Sequence, residues 1–314
     1  MEQALYSLKK FDDPRVTAKG ETRAIVPFSG IKTLWFNTGT LCNIECANCY
    51  IESSPTNDRL VYLTLADILP FFDELESENE CGVEIGFTGG EPFMAPQIID
   101  MLEESLVRGH SVLVLTNAMH PMMRPRIQAG LINLKERFGN QLTLRVSLDH
   151  FTSEYHDKER GIGSFETAMM GLRWLSEHGF QITIAGRALY NECEPAARKG
   201  YAELFDIEGF SINASDPKSL VLFPEMTPNS DPPEITTACW GILNKDPKDI
   251  MCASQRMIVK RKGQTHTTAL PCTLLPYDTR FDMGQTLQEA RKPVPLNHTY
   301  CATFCVLGGG SCSA

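Results

Sequence analysis

No apolar stretch in these 314 residues approaches the ~20 that a membrane-spanning helix needs. The N-terminus, MEQALYSLKKFDDPRV, has no apolar run behind its charges and does not read as a secretory signal. A basic surplus is missing too: 29 Lys and Arg stand against 39 Asp and Glu, a formal charge of −10. Nonspecific nucleic-acid binding needs the opposite balance and is not expected. The one basic run, Lys260, Arg261 and Lys262, reads as a solvated hairpin tip. Low-complexity segments and internal repeats are absent. With 42% apolar and 22% charged residues, the chain has the makings of a real core and not of a disordered segment. A cytoplasmic location without membrane contact is expected.

Cysteine, by contrast, is plentiful. Eleven are present, and in a reducing compartment clustered cysteines point to metal or catalysis instead of disulfides.

The middle of the chain alternates strand-like and helix-like segments. TLWFN (33–37), VEIGFT (83–88), SVLVLT (111–116), LTLRVS (142–147) and QITIAG (181–186) read as strands. GFSIN or LVLFP supplies a sixth. Between them, TLADILPFFDELES (64–77) reads as a helix with Thr64 as N-cap and Asp67 three residues on, although Pro70 should bend it or move its start. RIQAGLINLKERFG should stop at Gly139. Such β–α units imply a parallel sheet with helices outside. Eight would close a barrel, and about six are present, so an open partial (β/α)6 TIM-like barrel is expected over 31–223. Residues 1–30 form an N-terminal extension. Beyond Pro224 the segments shorten, with a hairpin from RMIVKRK to THTTAL turning near Gly263. Residues 224–314 are expected to be a small cysteine-rich domain held together by metal.

In parallel α/β folds the site lies beyond the carboxyl ends of the strands. CNIECANC, with Cys42, Cys46 and Cys49, follows the first strand, and TGGEP (88–92) follows the second. Zinc usually takes four paired ligands. Three cysteines with no fourth nearby fit a four-iron cluster whose last iron binds something else.

Together these two motifs resemble the radical S-adenosylmethionine (SAM) superfamily, over about residues 33–223. The resemblance implies that Cys42, Cys46 and Cys49 hold a [4Fe–4S] cluster and that SAM chelates its open iron. It implies a 5′-deoxyadenosyl radical that abstracts hydrogen from substrate. Gly89 and Gly90 would bring backbone close to the methionine amine, and Glu91 would accept a hydrogen bond from it. Asn117, Ser147 and Asp149 sit where the family contacts ribose and carboxylate, and Arg187 is placed to pair with the carboxylate. Asn48 takes the position before the third cysteine that the family usually fills with an aromatic residue or His. His156 and Arg160 read as the start of a surface helix or as the substrate side.

The tail resembles the auxiliary-cluster domains called SPASM and Twitch. Cys252 and Cys272 flank the hairpin, and CATFCVLGGGSC (301–312) looks like a reduced closing run. A second [4Fe–4S] cluster would be held by Cys252, Cys272 and Cys312, with Cys305, Cys301 or Cys239 as the fourth ligand. A structural zinc site of the same residues is the rival. Cys81 and Cys193 read as ordinary buried thiols. The resemblance also implies a flavodoxin- or ferredoxin-type electron donor. The substrate is a peptide or a small molecule, and with so short an extension a leader-recognition domain is not expected within the chain. An iron–sulfur electron carrier or cluster-transfer protein is the alternative, but it leaves GGEP and the barrel without a purpose.

Overall fold

The computed structural model describes residues 9–187, 192–224 and 230–311. After a short strand β1 (Ile25–Val26), the chain runs β2 (Thr33–Asn37), α1 (Leu65–Ser77), β3 (Glu84–Thr88), α2 (Ile98–Val107), β4 (Ser111–Thr116), α3 (Pro125–Phe138) and β5 (Leu142–Ser147). It continues through α4 (Ser153–Arg160), α5 (Ser164–Glu177), β6 (Gln181–Arg187), α6 (Glu194–Glu208) and β7 (Leu220–Phe223). The tail adds α7 (Cys239–Leu243), β8 (Gln255–Val259), β9 (Thr268–Leu270), α8 (Leu287–Ala290), β10 (Val294–Pro295) and a π-helical turn, Cys301–Leu307.

β2 to β7 are the six expected parallel strands. LVLF is the sixth, while the GFSIN segment lies outside the strands. All five residues of β2 are buried, as expected where helices and loops cover both faces of a strand. Thr64 and Asp67 close a capping box on α1, with Thr64 N donating to Asp67 Oδ2 at 2.9 Å. Pro70 neither breaks α1 nor moves its start. It sits just past the first turn, whose N–H groups have no intrahelical acceptor anyway, so one hydrogen bond is lost.

The tail is joined to the barrel more closely than its change of composition suggests. β8 pairs parallel with β2, from Thr33↔Gln255 to Phe36↔Ile258, and β9 returns antiparallel to β8. The sheet order is β7-β6-β5-β4-β3-β2-β8-β9, open between β7 and β9. Hydrogen bonding therefore crosses the sequence boundary at 223/224. The N-terminal segment is docked as well. β1 pairs with β10, and the buried Arg23 meets Glu234 at 2.5 Å. Among the described residues no helix is long and apolar enough to cross a membrane.

Candidate functional site

The carboxyl ends of β2 to β7 face one cavity of about 180 Å³. Cys42, Cys46 and Cys49 line it from the loop after β2. Asn48, Gly89, Gly90, Asn117, Ser147, Asp149 and Arg187 line it from the same loop and the following strand ends. Phe223 closes one side, and Thr273 and Leu274 reach in from the tail.

Local chemistry explains how the cysteine loop is held. Gly90 N donates to Gly39 O at 2.7 Å and Glu91 N to Leu41 O at 3.2 Å. A Cβ on Gly90 would come within 2.0 Å of Leu41 O, and one on Gly89 within 2.5 Å of Gly39 O. The two glycines thus let the turn after β3 press on the backbone that leads into Cys42.

Glu91 is placed otherwise than the motif suggests. It is buried and absent from the cavity lining. Its Oε1 accepts from Thr116 Oγ1 at 2.9 Å and Phe93 N at 3.1 Å, and its Oε2 from Asn117 N at 2.8 Å. The carboxyl ties the ends of β3 and β4 together. Burial pushes it up to about 7, against the pull of these hydrogen bonds.

Asn117, held in this way, donates from Nδ2 to Asn43 Oδ1 at 2.9 Å beside Cys42. Asn48 Nδ2 donates to Glu159 Oε2 at 2.8 Å. Arg187 is bound inside the protein: Nη1 reaches Glu159 Oε2 at 3.3 Å, Nη2 reaches Asn48 O at 2.9 Å, and its guanidinium lies 5.2 Å from the Tyr50 ring centre. Glu159 and Arg187 therefore clamp the loop between the second and third cysteines.

Arg160 is the residue that the surface-helix reading underrates. Its guanidinium lines the cavity and forks onto Asp149 at 2.8 and 3.0 Å. Burial raises Asp149, but Arg160 more than offsets this and holds the carboxyl below the usual carboxylate range. The signal was present in HDKERG. Glu159 and Arg160 lie three and four residues after His156, which places all three on one helical face. His156 is buried behind that face, not in the cavity lining.

Burial pushes the Cys42 thiol up to about 12 and also raises Cys46. Such thiols are poor nucleophiles and become thiolates on binding metal. Ser53 N donates to Cys49 Sγ at 3.3 Å. Among the described residues no three His, Cys, Asp or Glu side chains converge as ligands of one metal ion. A four-iron cluster instead takes one thiolate at each of separate corners, and three thiols spread around one cavity suit it.

The model of the Radical SAM superfamily matches residues 36–192, half of the chain. The chain belongs to the radical SAM superfamily. The family's [4Fe–4S] cluster and SAM are thus its cofactors, and Cys42, Cys46 and Cys49 fit the cluster.

The chain is 32% identical over 145 residues to the antilisterial bacteriocin subtilosin biosynthesis protein AlbA of Bacillus subtilis, covering 46% of this chain and 30% of that protein. It is 31% identical over 143 residues to the mycofactocin maturase MftC of Mycobacterium tuberculosis, covering 44% and 33%. The matched segments thus span about a third of either relative. Among solved structures, SuiB of Streptococcus suis superposes with a TM-score of 0.60 at 12% identity, covering 90% of this chain and 73% of that one. The structure of anSMEcpe with bound AdoMet superposes with a TM-score of 0.59 at 14% identity, covering 85% and 81%. These structures share the partial-barrel fold.

In the tail, Cys252, Cys272, Cys301 and Cys305 are all buried and none is in a disulfide. Cys301 and Cys305 fall four apart on the π-helical turn and so on nearly one face. Cys239 is half-buried at the start of α7, its Sγ accepting from Thr236 N at 3.4 Å. Cys312 lies outside the described residues. Cys81 and Cys193 are exposed, not buried as the sequence suggested. One sits in the turn before β3 and the other caps α6, where no core reaches them.

Proposed function

We propose that this radical SAM enzyme is a maturase that abstracts hydrogen from a peptide substrate, with a second cluster in its tail. The observation that carries this is the shared cavity. Thr273 and Leu274, next to Cys272, line the same space as Cys42, Cys46 and Cys49. A substrate that reaches the cofactors therefore also meets the tail. The peptide class is supported by the relatives. Two are biosynthesis or maturation proteins, and structures exist of SuiB bound to the precursor peptide SuiA and of anSMEcpe with a peptide.

When bound, the cluster and SAM supply a 5′-deoxyadenosyl radical. The chain's own groups supply position and exclude water. Cys42, Cys46 and Cys49 hold three irons. Ser147, Arg160 and Asp149 offer polar contacts for the charged end of SAM, and Asn117 steadies the loop at Cys42. Glu159 and Arg187 keep the loop from shifting. Buried Cys252, Cys272, Cys301 and Cys305 have the donor chemistry of an auxiliary cluster, with Cys312 and Cys239 as the other candidates. A flavodoxin- or ferredoxin-type protein in the cytoplasm provides the electron.

The test is anaerobic incubation of the reconstituted protein with dithionite and SAM. It should yield 5′-deoxyadenosine, faster with short synthetic peptides than with free amino acids. The Cys42→Ala/Cys46→Ala/Cys49→Ala variant should yield none. An electron carrier would make none even as the parent, and equal rates with peptides and amino acids would remove the peptide class.

A further inference from the structure

Four described arginines are fully or almost fully buried: Arg23, Arg145, Arg187 and Arg256. Arg23 meets Glu234 and Arg187 meets Glu159. Arg145 acts on Glu84, whose carboxyl it pulls down against burial. Arg256 differs. It is 0% exposed, and its N–H groups go only to backbone carbonyls. Nε donates to Ala290 O at 2.8 Å, Nη1 to Cys252 O at 2.7 Å and Gln255 O at 2.6 Å, and Nη2 to Lys292 O at 3.1 Å. The Phe28 ring centre lies 4.7 Å from its guanidinium. Among the described residues it has no carboxylate partner.

Carbonyls satisfy the N–H groups but leave a full positive charge in a low-dielectric core, which is costly without an anion. The groups able to carry negative charge that act on Arg256 are Cys252 and Cys272. Backbone geometry agrees. Cys252 O is already bonded to the guanidinium, and Leu270 pairs with Met257, so the antiparallel register carries Cys272 back alongside Gln255 and Arg256. Cys301 lies close enough to Cys252 for the two thiols to repel as anions. Protonated thiols would leave the cation unbalanced, whereas metal-bound thiolates would not.

We propose that Arg256 is the built-in countercharge of an anionic metal–thiolate group held by Cys252 and Cys272 with Cys301 and Cys305, and that its charge sets how readily that group accepts an electron. This rests on the tail-cluster part of the proposed function. Net charge near a cluster tunes its potential. A fixed cation favours the more negative, reduced state, so removing it moves the potential down.

The test uses the full chain, both sites loaded, as parent, Arg256→Lys and Arg256→Gln. A redox titration followed by electron paramagnetic resonance reads each cluster, and timed chelation reads metal release from the tail. The tail potential should fall in the order parent, Lys, Gln, while the barrel cluster stays put. Tail metal should leave the Gln variant at least tenfold faster than the parent. If the Gln variant does not fold, the neutral Arg256→Met, similar in length, decides by the same downward shift. Coincident potentials and release rates in the folded proteins would overturn the proposal. So would a folded parent that cleaves SAM but holds no metal at Cys252 and Cys272. If the order holds and no 5′-deoxyadenosine forms, the proposed reaction fails and the countercharge stands. If 5′-deoxyadenosine forms and the proteins coincide, the reverse is true.

Discussion

At the scale of single residues, Glu91 shows how fully the surrounding fold can take up a signature side chain. Both its oxygens are used by β4 and by its own turn. In Glu91→Gln an NH2 group must face one of those donors, which should cost about 1–3 kcal/mol of stability. Urea unfolding of the metal-stripped chain measures this. The effect should also depend on pH. Burial raises the folded carboxyl from 4.5 to about 7. A raised acid stabilises the fold while protonated, fully below its unfolded value, and loses that contribution as pH climbs through its folded value. The parent should therefore lose urea resistance between about pH 5 and about pH 8 relative to Glu91→Gln, whose amide does not titrate. Equal slopes for the two would mean that the carboxyl is ionised throughout this window.

At the scale of elements, α4 does more than link β5 to α5. Its inner face carries Glu159 to the cysteine loop and Arg160 to Asp149. Lysine cannot reproduce the planar fork of Arg160. Arg160→Lys should weaken SAM binding about tenfold or more, the equivalent of one charge-assisted hydrogen bond, as read by equilibrium binding to loaded protein. Glu159→Ala should act differently. With Asn48 and Arg187 released, barrel iron should pass to a chelator faster while tail iron leaves at the parent rate. Equal acceleration at both sites would point to general unfolding and not to a loosened loop.

At the scale of the molecule, the tail and the barrel share one sheet. β2 is flanked by β3 on one side and β8 on the other, and its Leu34, Trp35 and Phe36 are wholly buried. Ending the chain after Pro224 would strip β8 away and leave an apolar strand edge exposed, a template for aggregation. The truncated chain should elute as aggregates in size-exclusion chromatography. A monomeric fragment that still binds SAM would show that the barrel folds independently. The same continuity brings Thr273 and Leu274 to the cavity.

Local rules were enough to read the barrel from the sequence. Short apolar strand runs, a capping box at Thr64 and Asp67, and a helix stop at Gly139 all act over a few residues. Cys42, Cys46 and Cys49 were legible because ligands of one cluster lie close in sequence, and GGEP because two glycines permit a backbone approach that other residues cannot. Contacts between distant segments were not legible. The pairing of β8 with β2 joins residues more than two hundred positions apart, and no local propensity encodes it. Whether HDKERG covers a surface or faces a site depends on which side of α4 the barrel buries, and packing decides that. That Glu91 can accept hydrogen bonds and Arg187 can donate them is plain from the residue types alone. Only the folded chain decided that their partners are Asn117, Thr116, Glu159 and Asn48, because hydrogen bonding depends on distances of a few ångströms that sequence order does not set.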